Sequence, residues 1–194
     1  NHPWFELVAV AGQIHGRKLA EVPWRLQNSR PKALSAISES ILDVHSPELH
    51  HMLKSLGVTI VFSALPSGPA HTIESLLSRN GLVVFSNASA YRMHPEVPLV
   101  VADVNPEALE HWPGELGRLA CATNCTLIPV LHPLHVIASH HTIKGVKVRS
   151  EQALSGAGWT LLFDDEKRKA AIDNEIEGEA EKLIEEAERI LQLN

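Results

Sequence analysis

Two continuous apolar runs set the frame of this chain. Residues 58–65 read V-T-I-V-F-S-A-L between Gly57 and Pro66, and residues 82–87 read L-V-V-F-S-N after Asn80-Gly81. Runs of this length without polar alternation are the pattern of strands covered on both faces in a parallel sheet. Pro66-Ser67-Gly68-Pro69 turns the chain between them into a predicted helix over residues 70–79. Residues 5–11, F-E-L-V-A-V-A, predict a further buried strand, ended by Gly12. From Lys32 the apolar residues Leu34, Ile37, Ile41 and Leu42 recur at helical spacing. Pro47 then breaks that helix or starts a second one through Leu49, Met52, Leu53 and Leu56, which Gly57 stops. Repetition of strand, helix and strand predicts an α/β fold, a parallel sheet with helices on both faces.

The remaining pattern is less regular. Gly16, Pro23 and Pro31 make residues 13–31 a surface connection with at most a short strand. Residues 90–98 form a loop carrying the isolated Arg92, 99–104 a short strand, and 107–119 a broken helical region interrupted by Pro113-Gly114. A loop around Cys125 leads into an apolar helix that Pro133 should kink. Residues 142–149, T-I-K-G-V-K-V-R, alternate as a strand does. Residues 165–192 predict one long acidic amphipathic helix, with Ile176, Ala180, Leu183, Ile184, Ala187, Ile190 and Leu191 on one stripe and a solvated charged face.

Composition narrows the function classes. The chain has 194 residues, 44% of them apolar, enough to bury a core. A formal net charge of -6 with pI near 6.0 and no basic cluster argues against nucleic acid or an anionic membrane as partner. No apolar run reaches the roughly 20 residues that cross a bilayer, and the first residues carry no signal-peptide pattern. Cys121 and Cys125 are too close in sequence to close a useful disulfide loop, which suits a reducing, cytoplasmic setting.

Candidate chemistry centres on Cys125. A helix N-terminus carries roughly half a positive charge, which favours thiolate over thiol. Such a cysteine is a candidate nucleophile; the alternative is a small buried side chain. Ligands of parallel α/β folds sit beyond the carboxyl ends of the strands, here Ser63-Ala64-Leu65-Pro66 and Ser86-Asn87-Ala88-Ser89, segments equally compatible with ordinary turn chemistry. Arg92 is suited to clamp a phosphate or carboxylate, or to pair on the surface. Among 12 histidines, His132 and His135 fall on one helix face. No carboxylate or cysteine completes a recognisable ligand set with them, so no metal is expected.

Several strings together resemble one family, aspartate-semialdehyde dehydrogenase. They are H-P-W-F-E-L-V-A-V-A, V-F-S-A-L-P-S, V-F-S-N-A-S-A-Y-R-M-H-P-E-V-P-L-V-V, V-N-P-E, N-C-T and E-Q-A-L-S-G-A-G, in the family's order and at its spacing. The resemblance implies an incomplete doubly wound, Rossmann-like domain over residues 1–120, followed over 121–194 by the start of an α+β catalytic and dimerisation segment. It implies NADP-dependent reductive dephosphorylation of aspartyl phosphate through a cysteine thioester. Cys125 would be the nucleophile and Gln152 would orient the acyl group. Arg92 and Asn124 would face the phosphate. Ser63, Ala64, Pro66, Ser86, Asn87, Ser155, Gly156 and Gly158 match segments lining the nicotinamide nucleotide. Glu179 and Lys182 match the family's substrate-contacting acid and base. The implied partners are a small-molecule substrate and a second copy of the chain.

The departures carry their own expectation. The family's N-P-N-C reads here A-T-N-C, and after S-G-A-G its loop is replaced by W-T-L-L-F-D-D-E-K-R-K. Its Gly-rich phosphate loop falls before Asn1, and its substrate-binding arginine and acid-base histidine fall after Asn194, so the chain reads as truncated at both ends. That leaves two alternatives: a shortened homologue with no cofactor, repurposed for redox-neutral isomerisation, cyclisation, elimination or acyl transfer, and a non-catalytic oligomeric module.

Overall fold

The computed structural model describes residues 2–24, 29–30, 40–110, 112–157, 161, 163–171, 176 and 178–192. In chain order the strands and α-helices are β1 (Ala11–Gly12), β2 (Leu42–Asp43), α1 (Leu49–Ser55), β3 (Ile60–Ser63), α2 (Ser67–Arg79), β4 (Val83–Ser86), β5 (Leu99–Val100), β6 (Leu119–Ala122), α3 (Ile128–Ala138), α4 (Asp165–Ala171) and α5 (Glu179–Leu191). They fall into two compact units. One holds Asn1–Pro98 with His111–Cys121, the other Leu99–Glu110 with Ala122–Asn194.

The first unit is built on β3, β4 and β6, all parallel. Ser63 pairs with Ser86, and Ser86 in turn with Cys121. α2 packs on this sheet through Ala70, Ile73, Glu74, Leu77 and Ser78, all buried and spaced as one helical face. Leu49 and Leu53 of α1, with Leu82, Val84 and Leu119, complete the core. Gly81 sits at φ +88° just after α2, where a left-handed residue lets the chain reverse into β4. Gly117, at φ +76°, lies directly against the Ser78 carbonyl oxygen, so the turn into β6 has no room for a side chain.

The second unit is held by local polar bonds and by α5. Asn105, buried, accepts from the Val101 N–H at 2.7 Å and donates to the Leu99 carbonyl at 2.9 Å, which fixes the chain leaving β5. Leu127 and Leu131 of the α3 region and Ile190 of α5 are buried apolar side chains here.

Four expectations are corrected. Residues 5–10 form no strand; Trp4, Phe5 and Leu7 are exposed, and only Ala11–Gly12 pairs, in parallel, with Leu42–Asp43. Residues 142–149 alternate in polarity yet join no ladder among the described residues, and alternation without a partner strand leaves backbone groups unpaired. The broken helical region is only a 3-10 turn at Pro106–Leu109, and its end is the unforeseen strand β6. The single long C-terminal helix is two, and Gly178, at φ +70°, precedes the second. The helix expected from Lys32 falls largely on residues outside those described.

Candidate active site

Cys125 occupies the turn that leads into α3 and is exposed, whereas Cys121 is buried in β6. The helix itself starts at Ile128, so the thiol lies ahead of the first helical turn instead of on it. Asn124 organises this turn. Its Oδ1 accepts the Thr126 N–H at 2.9 Å, and its carbonyl accepts the N–H groups of Leu127 and Ile128 at 2.9 and 3.3 Å. This is the side-chain-to-backbone turn that Asn forms readily. Among the described residues, the Cys125 N–H donates to no acceptor.

α5 holds the same turn from the other side. Glu179 Oε1 accepts Asn124 Nδ2 at 2.7 Å. Glu186 Oε2 accepts both the Asn124 backbone N–H and the Thr123 hydroxyl, each at 2.7 Å. Glu186 is 2% exposed, so the acidic face of this helix is not wholly solvated. Lys182 is exposed on the same helix.

Gln152 is exposed at the start of a short turn, and its side-chain amide lies beside Gly156. Gly156 N donates to the Ala153 carbonyl at 2.9 Å within the Leu154–Ala157 3-10 turn that carries the exposed Ser155. Gly158 lies outside the described residues. Gln152 and Glu179 both line an open groove of about 2100 Å³ in this unit, floored by the apolar stripe of α5. Cys125 is not part of its wall, although Thr126 and Leu127 are.

In the first unit, the carboxyl ends of β3 and β4 carry the expected cofactor residues. Ser63 is buried, and among the described residues its Oγ has no hydrogen-bond partner, which leaves it open to a polar ligand atom. Ala64, Pro66 and Asn87 are exposed, and Asn87 N donates to the Ser63 carbonyl at 3.0 Å. No side chain caps the N-terminus of α2, and open space surrounds Gly68 in its first turn. Small residues, an orphaned hydroxyl and an uncapped helix end suit a phosphate-bearing nucleotide. Ser86 differs from its neighbours. Its Oγ donates to Glu74 Oε1 at 2.7 Å and accepts the Ala88 N–H at 3.0 Å, so it is engaged within the protein. Arg92 is half-buried and donates to the Asn87 carbonyl at 2.8 Å.

Sequence reasoning missed Thr123, Glu186 and Glu74. For Glu186 a signal exists: it precedes Ile190 by one helical turn and follows Glu179 by two, which puts all three on one face. Among the described residues no group of three or more His, Cys, Asp or Glu stands close enough to hold a metal, and no helix is long and apolar enough to cross a membrane.

Parallel strands β3, β4 and β6 with α2 packed on them define the class, an α/β protein with small and polar residues at the strands' carboxyl ends. Consistent with it, the family model "Semialdehyde dehydrogenase, NAD binding domain" matches residues 1–112. The aspartate-semialdehyde dehydrogenase of Archaeoglobus fulgidus is 35% identical over 205 residues, covering 98% of this chain and 55% of the relative. The chain belongs to the aspartate-semialdehyde dehydrogenase family. Among solved structures, the Candida albicans enzyme with NADP superposes at a TM-score of 0.57, with 29% identity, covering 72% of this chain and 41% of that one. Aspartate semialdehyde dehydrogenase II of Vibrio cholerae, complexed with ASA, superposes at 0.63 with 21% identity, covering 79% and 51%, and supports the Rossmann-like fold alone. The chain spans about half the length of the curated relatives it matches. Their names describe dehydrogenases and lend the redox-neutral alternative no support.

Proposed function

We propose that this chain carries the thiol step of an NADP-dependent aspartate-semialdehyde dehydrogenase. The Cys125 thiolate attacks the acyl carbon of β-aspartyl phosphate. A carbon–sulfur bond forms, the carbon–oxygen bond to phosphate breaks, and phosphate leaves with the electron pair. Bound NADPH would supply the hydride that reduces the resulting thioester to the aldehyde. The observation that carries this reading is the exposed Cys125 on a turn whose preceding residue is bonded through its backbone and its side chain.

Supporting roles follow from chemistry. The N–H of Cys125, unbonded among the described residues, is available to the oxygen that becomes negative during attack. Gln152, exposed and lining the groove, orients the acyl oxygen. Glu179 and Lys182 receive the polar end of the substrate. The second N–H of Asn124 faces the phosphate, its first being donated to Glu179. In the first unit, Ser63, Ala64, Pro66 and Asn87 hold the nucleotide, with Ser86 acting through the framework.

The test is phosphate-dependent reduction of NADP by aspartate semialdehyde. The expected result is activity that Cys125→Ala abolishes. Activity unchanged by that substitution would remove the thiol from the reaction.

A further inference from the structure

Glu186 is the most deeply buried acidic side chain near the Cys125 turn, and nothing in the reaction above uses it. One of its oxygens collects two donors from consecutive residues, the Thr123 hydroxyl and the Asn124 backbone N–H, both at 2.7 Å. A backbone N–H held this way fixes the Thr123–Asn124 peptide plane, the neighbour of the peptide that carries the Cys125 N–H, and so limits where the thiol points. Glu179, two helical turns earlier on α5, holds the Asn124 side chain at 2.7 Å. Asn124 in turn ties Thr126, Leu127 and Ile128 into the turn. Thr123 is itself 4% exposed, so water does not compete for its hydroxyl bond.

We propose that Glu186 is a positioning residue for Cys125: it acts through Asn124 and Thr123 to set the direction of thiol attack. It touches no substrate in this account. The inference rests on the thiol reading given above and deepens it. A positioning role makes a distinctive demand on kinetics. Alkylation by a small reagent needs only an accessible thiolate. Acylation by an acyl phosphate also needs the carbonyl oxygen to meet the Cys125 N–H as sulfur approaches, which depends on the Asn124 conformation that Glu186 and Glu179 hold.

The experiment uses the full chain, acetyl phosphate as acylating probe and iodoacetamide as alkylating probe, with adducts located by mass spectrometry. Cys121, 2% exposed, serves as an internal monitor, since it is reached only on unfolding. In Glu186→Gln, and in Thr123→Val as an independent second variant, the acylation rate of Cys125 should fall about tenfold relative to its alkylation rate. Cys121 should stay protected, and Thr123→Ser, which keeps the hydroxyl, should behave as the parent. Equal acylation in the parent and both loss variants would overturn the positioning role while leaving the thiol reading intact. Acylation and alkylation falling together, with Cys121 becoming reactive, would overturn it in favour of plain structural support. A parent chain acylated no faster than Cys125→Ser would overturn the thiol reading and this inference with it.

Discussion

At the residue scale, the two cysteines show how little sequence distance means for chemistry. Cys121 is buried in β6 and donates its N–H to the Pro98 carbonyl at 2.8 Å, while Cys125 is exposed on the next turn. Iodoacetamide should therefore modify Cys125 in the native chain and Cys121 only after denaturation; native labelling of Cys121 would contradict the described burial. A second residue-scale prediction concerns Glu74, which is 0% exposed and whose Oε2 has no partner among the described residues. Its one described bond is the Ser86 hydroxyl at 2.7 Å. Ser86→Ala strips that bond from a buried carboxyl group and should cost about 1–3 kcal/mol, read as a lowered thermal or urea midpoint. A midpoint equal to that of the parent would show that the pair does not matter to stability. Cys125, Asn124 and Gln152 were open to proposal from the sequence because short strings carry them. Glu186 and Glu74 were not, because a buried acid looks like a solvated one until its partner strand or turn is known.

At the scale of elements, legibility followed length and bounding residues. β3, α2 and β4 were readable because long apolar runs end at Gly57, Pro66 and Asn80-Gly81, and the helix between them places its buried residues at regular spacing. β6 was not, since L-A-C-A is too short to carry a period and pairs only because β4 offers Val84, Phe85 and Ser86 as partners. Residues 142–149 fail in the opposite sense, carrying the period without a described partner. The break before α5 hides in Gly178, one glycine in an acidic run. α4 supplies a pH prediction. The Asp164 carboxyl accepts the Lys167 N–H at 3.1 Å, and that bond, with the Lys167 side chain at 3.2 Å, holds its pKa below the ordinary 3.8. A carboxyl lowered in the folded state stabilises it fully above the ordinary value and loses that contribution as pH falls through the lowered one. Protection of the Lys167 amide should thus persist at neutral pH and decline only below about the ordinary carboxylate range, while Asp164→Ala should weaken it at neutral pH and match the parent in acid. Protection unaffected by either change would remove Asp164 as the cap of α4.

For the whole molecule, the proposed function assigns the nucleotide to the first unit and thiol chemistry to the second. Binding restricted to the native state raises stability by about 2.7 kcal/mol at a ligand concentration of 100 Kd, so NADP should raise the melting temperature of the 194-residue chain. Ser63→Val, which replaces the orphaned hydroxyl, should reduce that rise; an NADP effect of zero in the parent would place the nucleotide outside this chain. The most direct test of the thiol account is the mass of the chain after brief exposure to β-aspartyl phosphate, measured before and after NADPH is added. The account predicts one aspartyl group on Cys125, released with the hydride donor and never seen in Cys125→Ala. A chain that stays unmodified, or that carries the group on a residue other than Cys125, would contradict it.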